Sequence, residues 1–237
     1  LYLTTKPAGK LINRVVRYVF DGNSLSQMKM IVDNIPAGSF HDGGRIGFGW
    51  EGMLYITTGD AGDEDAAQNT KSLAGKILRV MDDGAIPADN PFANAVYSYG
   101  HRNPQGLAWD ANGNFWSTEH GRSGLASGYD ELNLIKKGAN YGWPVIQGDE
   151  KKEGMLVPVA HSGASATWAP AGIAALSEGL FFGGLRGQAL YQASFPGEDS
   201  SAVIEELFKE KYGRIRAVAL GPDGSLYIST SNTDGRG

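Results

Sequence analysis

Short runs of alternating apolar and polar residues fill most of this chain, and the runs stop at glycine turns. "VVRYVFDG" (15–22) and "KILRVMDDG" (76–84) alternate as a strand with one buried face requires, and "ALYQASFPG" (189–197) is a looser copy. A second pattern interleaves with the first: "GFGWEGMLYITTGD" (47–60), "AWDANGNFWSTEHG" (108–121) and "ALGPDGSLYISTSN" (219–232). Each has an apolar start, a turn closed by Gly52, Gly113 or Gly224, and an apolar-aromatic strand ending in Ser or Thr. Asn112-Gly113 and Asp223-Gly224 predict hairpin turns in which both central residues take positive φ.

The two patterns keep one period, 62 positions from Gly22 to Gly84 and 61 from Gly52 to Gly113. A shared period predicts repeated sheet modules, none able to bury its face alone. The spacing exceeds the ~40–45 residues of a simple propeller blade, so long inserted loops are expected. "GDEDAAQNTKS", "PADNPFANAV" and "GRSGLASGYDE" have that composition. The alternative is an all-β sandwich with chance similarity at its turns. One segment, "SSAVIEELFKEKYG" (200–213), predicts a helix, with Ser at its start and Gly at its end, although "AVIEELF" also reads as a strand. The opening "LYLTTK" reads as a strand in mid-fold and "ISTSNTDGRG" closes without a cap, so both ends are expected to be cut. The fold expected is one all-β propeller domain over 1–237, partial, with about four blades at this period.

Composition supports this picture. Among 237 residues, 34 are glycine and 10% are aromatic, which suits many short strands joined by tight turns. A net charge of −5 argues against a nucleic-acid partner, which needs a basic surface. With no cysteine there is neither a disulfide scaffold nor a thiolate metal site. No run of eighteen apolar residues is present, so no membrane span is expected, and no signal peptide is visible.

Chemistry concentrates in a few turns. "SYGHRNPQGLAWD" (98–110) sets His101, Arg102, Asn103 and Gln105 around a proline. Either the loop is tied down by its own side chains, or these donors hold an anion, for which the Arg102 fork is suited. His41, in "SFHDGGRIGFG", is a candidate proton acceptor. A hairpin turned at Gly52 would bring it near Asp60, whose carboxylate would fix its tautomer. Arg214 and Arg216 alternate on one face of "GRIRAV", toward solvent or toward a site. The acidic loop "GDAGDEDAAQN" lacks EF-hand spacing and reads as a solvated loop. "EHGRSGLASGYDELNLI" could turn backbone oxygens toward a hard cation, with Asp130 and Glu131 supplying charge; His120 has no zinc-like partner. No GxGxxG or P-loop motif supports a nucleotide.

Together, "HDGGRIGFG", "LYITTGDAG", "AGKILRVMDDGAIPADNPF", "YSYGHRNPQGLAWD", "EHG", "DELNLIKKGANYGWP" and "GRIRAVALGPDGSLYISTSN" resemble the soluble quinoprotein sugar dehydrogenases, the PQQ-dependent aldose or glucose dehydrogenase family. The resemblance implies a six-bladed β-propeller carrying PQQ and calcium. It implies that His41 takes the proton of the sugar's anomeric hydroxyl, that Asp60 orients it, and that Arg102 lies over the quinone oxygens. Asn103, Gln105, Arg214 and Arg216 match further PQQ-binding positions. The carbonyls of Gly121 and Arg122 match the catalytic calcium position, and Glu131 with the carbonyl of Tyr141 matches a structural one. The activity implied is oxidation of an aldose at C1 to an aldonolactone, with electrons passed to an external acceptor, by a monomer or homodimer in the periplasm or outside the cell.

The chain also departs from the family pattern. Arg122 stands where the family usually has proline, the following loop is longer, and a PQQ-contacting lysine of the glucose-specific branch has no match. That favours the broader aldose branch. A cofactor-contacting glutamine of the family's first blades has no match either. The rival expectations are an inactive fragment of such an enzyme and a non-catalytic binding propeller like those of hedgehog-interacting proteins. A lactone-hydrolysing propeller would need axial Asp, Glu and Asn ligands at spacings that are not found.

Overall fold

The computed structural model describes residues 1–124, 127–197 and 201–234. They form seventeen strands in five antiparallel sheets, and the chain divides into two compact units. The first, Leu1–Pro104 with Lys137–Pro144, holds two sheets. One has three strands, β1 (Tyr2–Thr5), β2 (Ile12–Phe20) and β3 (Leu25–Pro36). The other has four: β4 (Ile46–Phe48), β5 (Leu54–Thr58), β6 (Lys76–Val80) and β7 (Val96–Tyr99).

The second unit is built on Gln105–Lys136 and the chain from Val145 onward. Its first sheet is β8 (Pro104–Trp109), β9 (Phe115–Glu119), β10 (Glu131–Leu134) and β11 (Ala160–His161). The next is β12 (Pro170–Leu176), β13 (Gly179–Gly184), β14 (Leu190–Ser194) and β15 (Val203–Leu207). The last pairs β16 (Ile215–Leu220) with β17 (Leu226–Thr230). Neighbours in sequence are neighbours in each sheet, so the expected repeat module is a meander.

Apolar residues of these strands build the core, and β5 and β6 are buried on both faces. In the first unit Val15, Ile31, Val32 and Ile35 of β2 and β3 pack on Leu54, Ile56, Leu78 and Val80 of β5 and β6. In the second, Trp116 and Leu132 pack on Ile173, Leu180, Phe182 and Tyr191. Ala174 and Leu190 in turn pack on Ile215 and Val218. Truncating a core residue such as Ile56, wholly buried, costs about 2–5 kcal/mol.

The three turn glycines do the same job in three sheets. Gly52, Gly113 and Gly224 donate to the carbonyls of Gly49, Asp110 and Gly221, and those residues' own amides donate to the carbonyls of Met53, Asn114 and Ser225. All three glycines take φ near +80°, at 78°, 82° and 78°. Asn112 and Asp223 are not among the positive-φ residues, which corrects the expectation of two left-handed residues per turn. The loops are three residues long, with only the glycine left-handed.

The helix expected over 200–213 is replaced by the strand β15, paired with β14 from Ser194↔Val203 to Leu190↔Leu207. Ladder pairing along β14 outweighs the local helix preference, and Phe208 and Glu210, both at positive φ, would interrupt a helix. The acidic loop is also more than solvated surface. It forms a short 3-10 helix over Glu64–Gln68 whose Ala67 is fully buried. Beneath it the buried Lys76 donates from Nζ to the carbonyls of Ala66, Ala67 and Ala74 at 2.8, 2.9 and 2.5 Å. Among the described residues no helix is long and apolar enough to cross a membrane.

Candidate active site

In the first unit three chain segments meet at the ends of β5 and β7. Main-chain bonds lock them together: Asp60 N donates to Arg102 O at 2.8 Å and Ala61 N to His41 O at 3.0 Å. Gly75 N donates to Gly59 O at 2.8 Å, and His101 N to Gly75 O at 3.2 Å. The approach is close enough that a Cβ at Gly59 would lie 1.8 Å from the His41 carbonyl oxygen. His41 itself sits at φ 58°, a left-handed conformation that costs a non-glycine residue of order 1 kcal/mol and that often marks functional sites.

Asp60 is the hub. Its fully buried carboxylate accepts from three donors: His41 Nδ1 at 2.8 Å and Gly62 N at 2.8 Å on Oδ1, and Trp143 Nε1 at 3.0 Å on Oδ2. Burial works to raise its pKa, but the bonds from His41, Gly62 and Trp143, with the charge of His41, outweigh burial and hold it below the usual 3.8. An ionised Asp60 places the shared proton on Nδ1, which assigns the tautomer and leaves His41 Nε2 as the acceptor. The His41 side chain keeps 15% of its surface exposed, with Phe40 edge-on to the ring at 4.7 Å.

The turn at 101–103 divides its labour. His101 is wholly buried, with Nε2 2.8 Å from Ser98 Oγ and its ring stacked on Tyr141 at 4.7 Å, so this histidine serves the fold. Asn103 Oδ1 accepts from Gly43 N at 3.1 Å and so braces the loop carrying His41. The buried Arg102 places its guanidinium 5.3 Å from the centre of the Trp143 ring. Tyr141, expected at a calcium site, is buried beside His101 and donates its amide to Tyr99 O at 2.9 Å.

The remaining candidates belong to the second unit. Gln105 lies half-buried on β8. Arg214 and Arg216 do share a face, and both reach Asp234 Oδ2, at 3.1 and 3.4 Å. Gly121 N donates to Asp130 Oδ1 at 2.8 Å, and the Arg122 carbonyl accepts from Gly128 N at 3.1 Å. Asp130 Oδ2 takes the amides of Trp168 and Ala169 at 2.7 and 2.8 Å, so this carboxylate fastens a loop. Glu131 stands opposite Glu119 in the β9–β10 register and accepts from Asn133 Nδ2 at 2.9 Å. Burial, then the Glu119 charge, raises the Glu131 carboxyl above its usual range. Among the described residues no group of three or more His, Asp or Glu converges as a metal site.

Sequence reasoning missed Trp143 and Gln68. Trp143 lies in "NYGWP", a stretch with no chemical signature of its own. Gln68, in the supposed solvated loop, donates from Nε2 to the Trp143 carbonyl at 2.5 Å and exchanges amide bonds with Asn140 at 3.1 and 2.8 Å.

Repeated antiparallel meanders and a histidine–carboxylate pair at their loop ends define an all-β protein of the propeller type found in quinoprotein sugar dehydrogenases. Residues 1–236 match the model of the glucose / sorbosone dehydrogenase family, and the chain belongs to it. It is 42% identical to the PQQ-bound aldose sugar dehydrogenase of Streptomyces coelicolor, with a TM-score of 0.88, covering 100% of this chain and 70% of that one. It is 34% identical to Aldose sugar dehydrogenase YliI of Escherichia coli over 82% of this chain, and 36% identical to the uncharacterized protein slr1608 of Synechocystis sp. over 94%. The chain spans only 58% and 62% of the length of those two relatives.

Proposed function

We propose that this chain carries the proton-handling centre of a PQQ-dependent aldose sugar dehydrogenase. The observation that carries the reading is the 2.8 Å bond between His41 Nδ1 and the buried Asp60. With its tautomer fixed, His41 Nε2 takes the proton of the anomeric hydroxyl as the C1 hydride departs. Asp60 holds the ring in place and stabilises the imidazolium that forms. Arg102 would supply positive charge beside the group that takes up the hydride. The sugar thus loses a hydride and a proton, and becomes an aldonolactone.

PQQ, when bound, supplies an orthoquinone that accepts the hydride. Arg102 and Asn103 of the first unit, and separately Gln105, Arg214 and Arg216 of the second, are the candidates that the resemblance offers for the carboxylates of PQQ. Arg214 and Arg216 share one carboxylate, Asp234, so a positive charge is left for an anion. For calcium the fit is narrower. Glu131, facing Glu119 across the ladder, is a carboxylate that a divalent cation would relieve. The carbonyls of Gly121 and Arg122, and that of Tyr141, are the further candidates from the resemblance. An aldose substrate, an external electron acceptor and a periplasmic or secreted location belong to the same proposal.

The test is reduction of an artificial dye by this chain with PQQ, calcium and a panel of aldoses, beside His41→Ala. Turnover in the parent and a loss of at least about a hundredfold in the variant are expected. Undiminished turnover in His41→Ala would remove the base, and tight PQQ binding without turnover would confine this chain to cofactor binding.

A further inference from the structure

Trp143 touches both polar poles of the candidate active site. Its indole Nε1–H donates to Asp60 Oδ2 at 3.0 Å, on the oxygen opposite the one bonded to His41. The face of its ring lies 5.3 Å from the Arg102 guanidinium carbon. The residue is itself fixed on both sides of its backbone: its amide donates to Gly100 O at 2.9 Å and its carbonyl accepts from Gln68 at 2.5 Å. Gln68 is held in turn by Asn140, whose Oδ1 also accepts from Gly142 N at 2.9 Å.

We infer that Trp143 is a positioning residue that sets the proton affinity of His41 through Asp60. This rests on the reading of His41 and Asp60 as the proton-handling pair. A carboxylate with one oxygen on a neutral N–H donor has less charge to share with the imidazolium on its other oxygen. The buried indole therefore keeps His41 less basic than a bare Asp60 would make it, which suits a base that must start neutral. It also prevents the carboxylate from rotating away from Nδ1. Because the same ring carries Arg102 on its face, one side chain fixes the base's orienting group and the cation together. The charged groups around His41 on the packed segments are Asp60 after β5, Arg102 after β7 and Asp42 next in sequence. Asp42 Oδ1 is occupied by Asn13 Nδ2 at 2.8 Å and Gly38 N at 3.0 Å.

Trp143→Phe keeps a ring beneath Arg102 and deletes only the donor. The measurement is an NMR titration of the His41 ring in the full chain without PQQ, with His41→Ala to assign the signal. In Trp143→Phe the His41 midpoint is expected to move up by about half a unit or more. An unchanged midpoint in a variant that melts cooperatively would overturn the inference while leaving the proposed function intact. Absence of dye reduction in the parent would overturn the proposed function and leave this titration readable. Should Trp143→Phe fail to fold, the parent decides: the indole N–H resonance of Trp143 must titrate with the His41 midpoint, and an indole signal indifferent to that midpoint rejects the coupling.

Discussion

Asp60 and Asp234 are both carboxylates that gather donors, and they sit in opposite settings. Asp60 is fully buried and takes three N–H donors, from an imidazole, a main-chain amide and an indole, on three chain segments of the first unit. Asp234 keeps 23% of its side-chain surface exposed and takes two full charges, Arg214 and Arg216. The stronger formal electrostatics thus lie where water and salt screen them, and the weaker ones where nothing does. Geometry follows burial. The three donors leave Asp60 one orientation, whereas the partly exposed Asp234 gathers Arg214, Arg216 and the Ser231 hydroxyl on a single oxygen.

Asp60→Asn should break the contrast most severely. An amide cannot accept from all three donors, so turnover is expected to fall at least about a hundredfold and stability by about 3 kcal/mol, read by dye reduction and by denaturant melts. Its pH signature is specific. The folded pKa of Asp60 is depressed, so its stabilising contribution is present above the unfolded value near 3.8 and is lost as pH falls through the lower folded value. The variant should therefore lose less stability than the parent between pH 4 and lower pH; equal acid slopes would argue against the assignment. Gly59→Ala comes next. Its methyl meets the His41 carbonyl oxygen at 1.8 Å, and a loss of about 3 kcal/mol with displaced His41 is expected, visible in melts and in the His41 NMR signal. The smallest effect is reserved for Asp234→Asn, below about 1 kcal/mol and vanishing in high salt. A loss as large as that of Asp60→Asn would show that exposure does not separate the two sites.

The sheets were legible because their information is local. The apolar runs at 15–22 and 76–84 marked strands, although β6 is buried on both faces and β2 buries Val15 and Val16 together while exposing Val19 and Phe20, and the glycines at 52, 113 and 224 need only a left-handed turn. The pairing of His41 with Asp60 was legible too, since a hairpin between them limits where their ends can go. For β15 both a helix and a strand over "AVIEELF" were open, and the structure settles on the strand because ladder partners, which a sequence window does not contain, decide an edge strand. Trp143 escaped for a related reason: its donor is aimed at a residue 83 positions away, and tryptophan carries no charge to draw attention to it. The polar stretch at 101–103 left two readings open, and His101 follows the one in which the loop is tied down by its own side chains, against Ser98 and Tyr141.

The three hairpin glycines carry one more consequence. Around Gly52, Gly113 and Gly224 nothing stands within 4 Å of the place where a side chain would begin, while φ lies near +80°. Handedness alone, and not room, excludes other residues there. A mirror-image amino acid, introduced by chemical ligation, would find the backbone already in its own preferred well and would stiffen the turn. At Gly59 the exclusion is of another kind, because the His41 backbone lies where an L side chain would start. Glycine thus performs two unrelated services in this chain, chirality at the hairpins and closeness beside His41, and chemical synthesis can tell them apart where the genetic code cannot.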